Sequence, residues 1–171
     1  MKGIILAAGR GSRMRTLTSS SPKCLIKLKG KTLLQRQIDA LKEAGVYEIG
    51  IVTGYQREKL LCFGLKEFHN ACWSETNMMS SLACAKKWLE DSPCIISYSD
   101  IFYHHSAVTL LIRQSAPIAI TYDPNWLSLW EKRFDDPLTD AETFLINNEK
   151  ILLEIGKKPS GFDRIQGQFM G

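Results

Sequence analysis

The sequence predicts an α/β fold: a mostly parallel, twisted sheet with helices on both faces. Three observations predict it. Gly3 to Ala8 is a short, almost wholly apolar run that ends in glycines, as a parallel strand buried on both faces does before a tight loop. Leu34, Ile38 and Leu41 then recur at helical spacing, and Gly45 supplies the stop. Glu48 to Thr53 follows, with β-branched Ile49, Ile51 and Val52, and ends at Gly54. A strand–helix–strand crossover is right-handed in nearly all cases, so these two strands belong to one parallel sheet.

The later segments extend this pattern. Met79, Leu82, Ala83, Ala85 and Leu89 predict one helix, which Pro93 follows. Cys94 to Tyr98 reads as another buried strand, closed by Ser99-Asp100. Leu110 and Leu111 sit in a further helix, and Pro117 to Tyr122 reads as a strand. The text is irregular from Asp123 to Asp140. Thr143 to Ile146 and Ile151 to Ile155 then predict a hairpin turned at Asn147-Asn148. Nothing reads as a repeat or a linker, so residues 1–171 are taken as one domain.

The totals narrow the function. A chain of 171 residues suits one α/β domain with a real core. A net charge of +4 fits small anionic ligands and is too weak and too evenly spread for nucleic-acid binding. The five cysteines are odd in number and form no Cys-x-x-Cys pair, which argues against a disulfide framework or structural zinc and for a reducing, cytoplasmic compartment. The N-terminal apolar run is too short for a signal-peptide core or a membrane span. Composition does not set the oligomeric state.

The chemistry concentrates in the loop after the first strand. Leu6-Ala7-Ala8-Gly9-Arg10-Gly11-Ser12-Arg13 is followed by Pro22-Lys23. Gly9 and Gly11 let the backbone approach a phosphate and offer N–H donors. Arg13 and Lys23, with Arg10, supply positive charge for a triphosphate and its transition state. Leu6 opens the motif as a nucleotide-binding candidate, and small Ala7 and Ala8 leave room for a flat base. Two rival glycine-rich motifs fail on residue identity. A dinucleotide fingerprint needs a small residue where Met14 stands, and a P-loop needs glycine where Leu25 stands. A tight turn in a solvated basic loop is the plainer reading, and the density of Gly, Arg and Pro-Lys here argues against it.

That run, Leu-Ala-Ala-Gly-x-Gly-x-Arg and then Pro-Lys, resembles the signature of the sugar-phosphate nucleotidyltransferase superfamily. The resemblance implies the Rossmann-like sheet of the nucleotide-diphospho-sugar transferases. It also implies a nucleoside triphosphate as donor and a phosphorylated small molecule as acceptor. It places phosphate contacts on Gly9, Gly11, Arg13 and Lys23. The chain departs from the signature at Thr16, where proline is usual. Asp100, at the end of a buried strand, takes the place of the family's Mg²⁺ ligand, although a bare carboxylate there also suits a helix or turn cap. A second acidic ligand has no match. The chain stops at Gln168-Phe169-Met170-Gly171 where family members continue, which implies truncation at the C-terminus.

The branch is read from weaker signals. Gly54-Tyr55 after the second strand, and Phe68-His69-Asn70 before Thr76-Asn77-Met78, are similar to the bacterial phosphocholine cytidylyltransferases, which favours CTP. Gly54 and Asn77 thereby become nucleotide-binding candidates. The Asn77 amide has donors and an acceptor with which to read a base, and it is equally a good helix cap. Lys157-Lys158-Pro159 stands where sugar-1-phosphate members carry Glu-Lys-Pro. Lys158 keeps the acceptor-phosphate role, but Lys157 only donates hydrogen bonds and cannot hold sugar hydroxyls as a carboxylate does. Tyr122, Trp126 and Trp130 suit a quaternary ammonium group, or simply a packed core. The sequence expectation is cytidylyl transfer to phosphocholine or a related phospho-alcohol or phosphonate. A sugar-1-phosphate enzyme and a non-catalytic nucleotide-binding module stay open as alternatives.

Overall fold

The computed structural model describes residues 1–11 and 20–170. These form two compact units, Met1–Ser115 and Ala116–Gly171, where the sequence was read as one domain.

The first unit is built on four parallel strands: β1 (Lys2–Ala7), β4 (Ile49–Thr53), β5 (Lys66–His69) and β6 (Cys94–Tyr98), in the sheet order β5-β4-β1-β6. A small hairpin, β2 (Lys27–Leu28) with β3 (Lys31–Thr32), precedes helix α1 (Leu33–Glu43). Its turn takes Lys29 and Gly30 through positive φ, the geometry that two-residue hairpins require. Thr32 caps α1 by accepting from Gln35 N, and the chain leaves the helix through Gly45 at φ 89°.

Side chains alternate along β1 and build two cores. Ile5 and Ala7 face Leu34, Ile38 and Leu41 of α1 and Val108 of α4 (His105–Ile112). Ile4 and Ala8 face Val52 and Ala85, with Leu82 and Trp88 packed alongside. The sheet is therefore covered on both faces, as the apolar β1 run requires.

Two sequence expectations need correction. The single helix over Met79–Leu89 is two, α2 (Met78–Ala83) and α3 (Lys86–Asp91). Ala85 is fully buried between them, and its N–H bonds back three residues to Leu82 O, so the chain tightens and redirects where it meets the sheet. The strand over Pro117–Tyr122 reduces to β7 (Tyr122–Asp123), which pairs with β10 (Gln168–Phe169). Thr121 O still accepts from Met170 N, but residues 117–121 do not form a strand, and Ile118 is 84% exposed.

The second unit also holds α5 (Trp126–Trp130) and the expected hairpin, β8 (Phe144–Ile146) with β9 (Leu152–Ile155). Asn147 turns it by accepting from Glu149 N and Ile151 N. Among the described residues no helix is long and apolar enough to cross a membrane. All five cysteines are unpaired thiols.

Candidate active site

Chain order runs outward from β1 through β4 to β5, then reverses to β6 on the other side of β1. Ligands in open α/β sheets bind beyond the carboxyl ends of the strands at such a reversal. The end of β1 is held there on both sides. Ser99 N, after β6, donates to Leu6 O, and Tyr55 N, after β4, donates to Ala8 O.

A cleft of about 390 Å³ opens at this point. Leu6, Ala8, Gly9 and Gly11 form one wall, the Trp73–Ser81 segment another, and Lys23 with Ser99-Asp100 a third. Gly11 has φ 67°, and a Cβ there would press on the Lys23 side chain at 3.2 Å, so glycine serves both the turn and the approach of the lysine.

Lys23 stands on a single 3-10 turn, Lys23–Leu25, entered through Pro22. Cys24 anchors that turn in the core, and burial pushes its thiol up to about 12. Lys23 Nζ donates to Asp100 Oδ2 at 2.6 Å. Both side chains are about one-third exposed (30% and 37%). A pair this exposed contributes little to stability, so exchanging it for a ligand costs little.

Asp100 is held through its backbone. Gln37 of α1 is fully buried, and its Nε2 donates to Tyr98 O at 2.7 Å and to Ile101 O. This amide brackets the Ser99-Asp100 turn. Sequence reading missed Gln37; a glutamine inside an otherwise apolar helical stripe was the available signal. Asp100 is the only carboxylate lining the cleft among the described residues, and no cluster of three metal-ligating side chains forms among them. That donor set fits Mg²⁺, which takes one or two carboxylates and completes its shell with phosphate and water.

The opposite wall is braced by Asn70, which is 6% exposed. Its Nδ2 donates to Thr76 Oγ1 (2.9 Å) and Ser81 Oγ (3.0 Å), and its Oδ1 accepts from Cys72 N (3.0 Å). Asn77 caps α2 by accepting from Ser80 N at 3.0 Å and also lines the cleft.

The remaining candidates fall elsewhere. Ala7 is buried at the end of β1 and Gly54 lies behind the cleft wall, neither of them lining it. Arg13 lies outside the described residues. The Arg10 guanidinium sits 5.8 Å over the Tyr55 ring. Lys158 belongs to the second unit, where its Nζ donates to Leu138 O and Thr139 O. Lys157 pairs with Glu154. The aromatic trio is packing. Trp126 is 4% exposed in a core with Ala141 and Ile165, Tyr122 stacks on Phe144, and Arg133 already covers Trp130.

Several known proteins are similar to this chain. Residues 3–140 match the family model described as MobA-like NTP transferase domain. A CTP:phosphoglutamine cytidylyltransferase of Campylobacter jejuni is 41% identical over 181 residues, covering 100% of this chain and 71% of that protein. A choline-phosphate cytidylyltransferase of Streptococcus pneumoniae is 36% identical over 106 residues, covering 60% of this chain and 46% of that protein. The chain thus spans under half the length of the second relative. A solved structure of a CTP:phosphocholine cytidylyltransferase from Streptococcus pneumoniae superposes on 98% of this chain and 65% of its own, with a TM-score of 0.67 at 21% identity, a likeness of fold. Sheet order, cleft and sequence together place the chain in the MobA-like NTP transferase domain family.

Proposed function

We propose that the protein transfers a cytidylyl group from CTP to a phosphorylated, nitrogen-bearing small molecule of the phosphocholine or phosphoglutamine kind and releases pyrophosphate. The observation that carries this reading is the Lys23–Asp100 pair in a glycine-walled cleft at the sheet reversal. The relatives' cytidylyltransferase names support the choice of CTP.

An oxygen of the acceptor phosphate forms a bond to the α-phosphorus while the bond from that phosphorus to the β-phosphate oxygen breaks. The acceptor oxygen is already anionic at neutral pH, so no protein base has to remove a proton. Catalysis then rests on positioning and on charge. Lys23 leaves Asp100 and donates to the triphosphate, offsetting the charge that builds on departing pyrophosphate. Gly9 and Gly11 contribute backbone N–H groups, with Arg13 a further phosphate contact. Asp100 would hold Mg²⁺, which supplies charge neutralisation on the phosphates when bound. Asn77 is the base-reading candidate.

The test is product formation. CTP, UTP, GTP and dTTP are each incubated with phosphoglutamine, phosphocholine, 2-aminoethylphosphonate or glucose-1-phosphate, and products are identified by mass spectrometry. A cytidylyl adduct of one of the first three acceptors is the expected result. An adduct formed only with the sugar phosphate would contradict the reading.

A further inference from the structure

We infer that Trp73 is the stacking wall for the nucleobase, held in place by Gly54 and Tyr55. The inference rests on the nucleotidyl-transfer reading of the same cleft and adds a binding residue that the sequence signature did not identify.

The cleft has two chemically different ends. Lys23 and Asp100 stand on the β6 side of β1 with the glycines between, an end suited to phosphate. Trp73 stands on the β4 side in one apolar cluster with Leu6, Asn70 ties Thr76 and Ser81 to that side, and Met78 and Asn77 also line the cleft. β4 and β6 flank β1, so the two sides lie two strand spacings apart, about 10 Å. A triphosphate joined through a ribose to a flat base has this polarity and this reach.

The indole is seated by its surroundings. A Cβ on Gly54 would come within 2.6 Å of Trp73 Cβ and 2.7 Å of its Cγ, and within 2.6 Å of Ala8 O. Only glycine at position 54 therefore lets the indole lie against the end of β1. Tyr55 meets Trp73 edge-on at a centroid distance of 5.4 Å and an interplanar angle of 62°. Asn70 Oδ1 accepts from Cys72 N, its Nδ2 donates to the Thr76 hydroxyl, and that hydroxyl donates to Cys72 O, which ties together the two ends of the segment that carries Trp73. A pre-positioned aromatic face in a cleft binds a base without first having to be ordered. This account also explains Gly54: it acts through Trp73 rather than by touching ligand.

The experiment compares CTP with inorganic tripolyphosphate, which has the phosphates and no base. Binding of both is measured by calorimetry for the wild type, Trp73→Leu and Trp73→Phe, and melting curves establish that each variant folds. Trp73→Leu is expected to weaken CTP about tenfold and leave tripolyphosphate unchanged, while Trp73→Phe restores most of the CTP affinity. CTP should quench wild-type tryptophan fluorescence, tripolyphosphate should not, and the CTP quench should vanish in Trp73→Phe. Equal weakening of both ligands in Trp73→Leu, or unchanged CTP binding, would overturn the inference. Wild-type protein that binds CTP with this quench yet forms no adduct would instead remove the transfer reading and leave the stacking wall standing.

Discussion

Gln37 shows how much of an active site rests on a residue that never meets substrate. Its amide holds the carbonyls on either side of Ser99-Asp100, and Asp100 in turn meets Lys23. Replacing it with leucine keeps the volume but removes an amide donor from two part-buried carbonyls, a loss of about 1 kcal/mol for each hydrogen bond. Gln37→Leu should therefore melt several degrees lower and lose about tenfold in kcat, with KM for CTP less affected, because the turn that presents Asp100 is no longer pinned. Unchanged kcat in a folded Gln37→Leu protein would show that the turn holds its own geometry. At this scale the sequence was readable where chemistry has a signature. Gly9, Gly11, Lys23 and Asp100 all line the cleft. Gln37 and Asn70 were not readable, since their importance lies in backbone partners that come close only after folding.

Among the elements, periodicity identified β1, α1, β4 and β6, whose apolar faces are long and continuous. It failed where tertiary packing overrode local pattern, at the buried Ala85 that divides α2 from α3 and along the exposed approach to β7. The hairpin β8–β9 carries its own electrostatic signature. Arg164 Nη2 and Lys157 Nζ both donate to Glu154 Oε2, at 2.9 and 3.0 Å, and hold its carboxyl down at about 2. A carboxylate depressed from its usual 4.5 stabilises the fold fully above that pH and loses the contribution as pH falls toward 2. The wild type should thus melt above Glu154→Gln at neutral pH, and the gap should close between pH 4.5 and about 2. A gap that persists at pH 2 would assign the difference to packing instead.

For the whole molecule, the sheet reversal sets where the cleft opens. The cleft lies at the ends of β1 and β6, with the Trp73–Ser81 segment as its further wall, and Gly9, Gly11, Lys23 and Asp100 line it. The Lys23–Asp100 ion pair is partly exposed and adds little to stability, so the two residues can be altered without unfolding the protein. The decisive measurement is pyrophosphate release from CTP with its best acceptor and Mg²⁺, comparing the wild type with Lys23→Ala and Asp100→Asn at matched melting temperatures. The wild type should release one pyrophosphate for each acceptor consumed, and both variants should lose at least about a hundredfold in rate while melting within a few degrees of it. Variants that fold and turn over like the wild type would contradict the assignment of this cleft as the site of transfer.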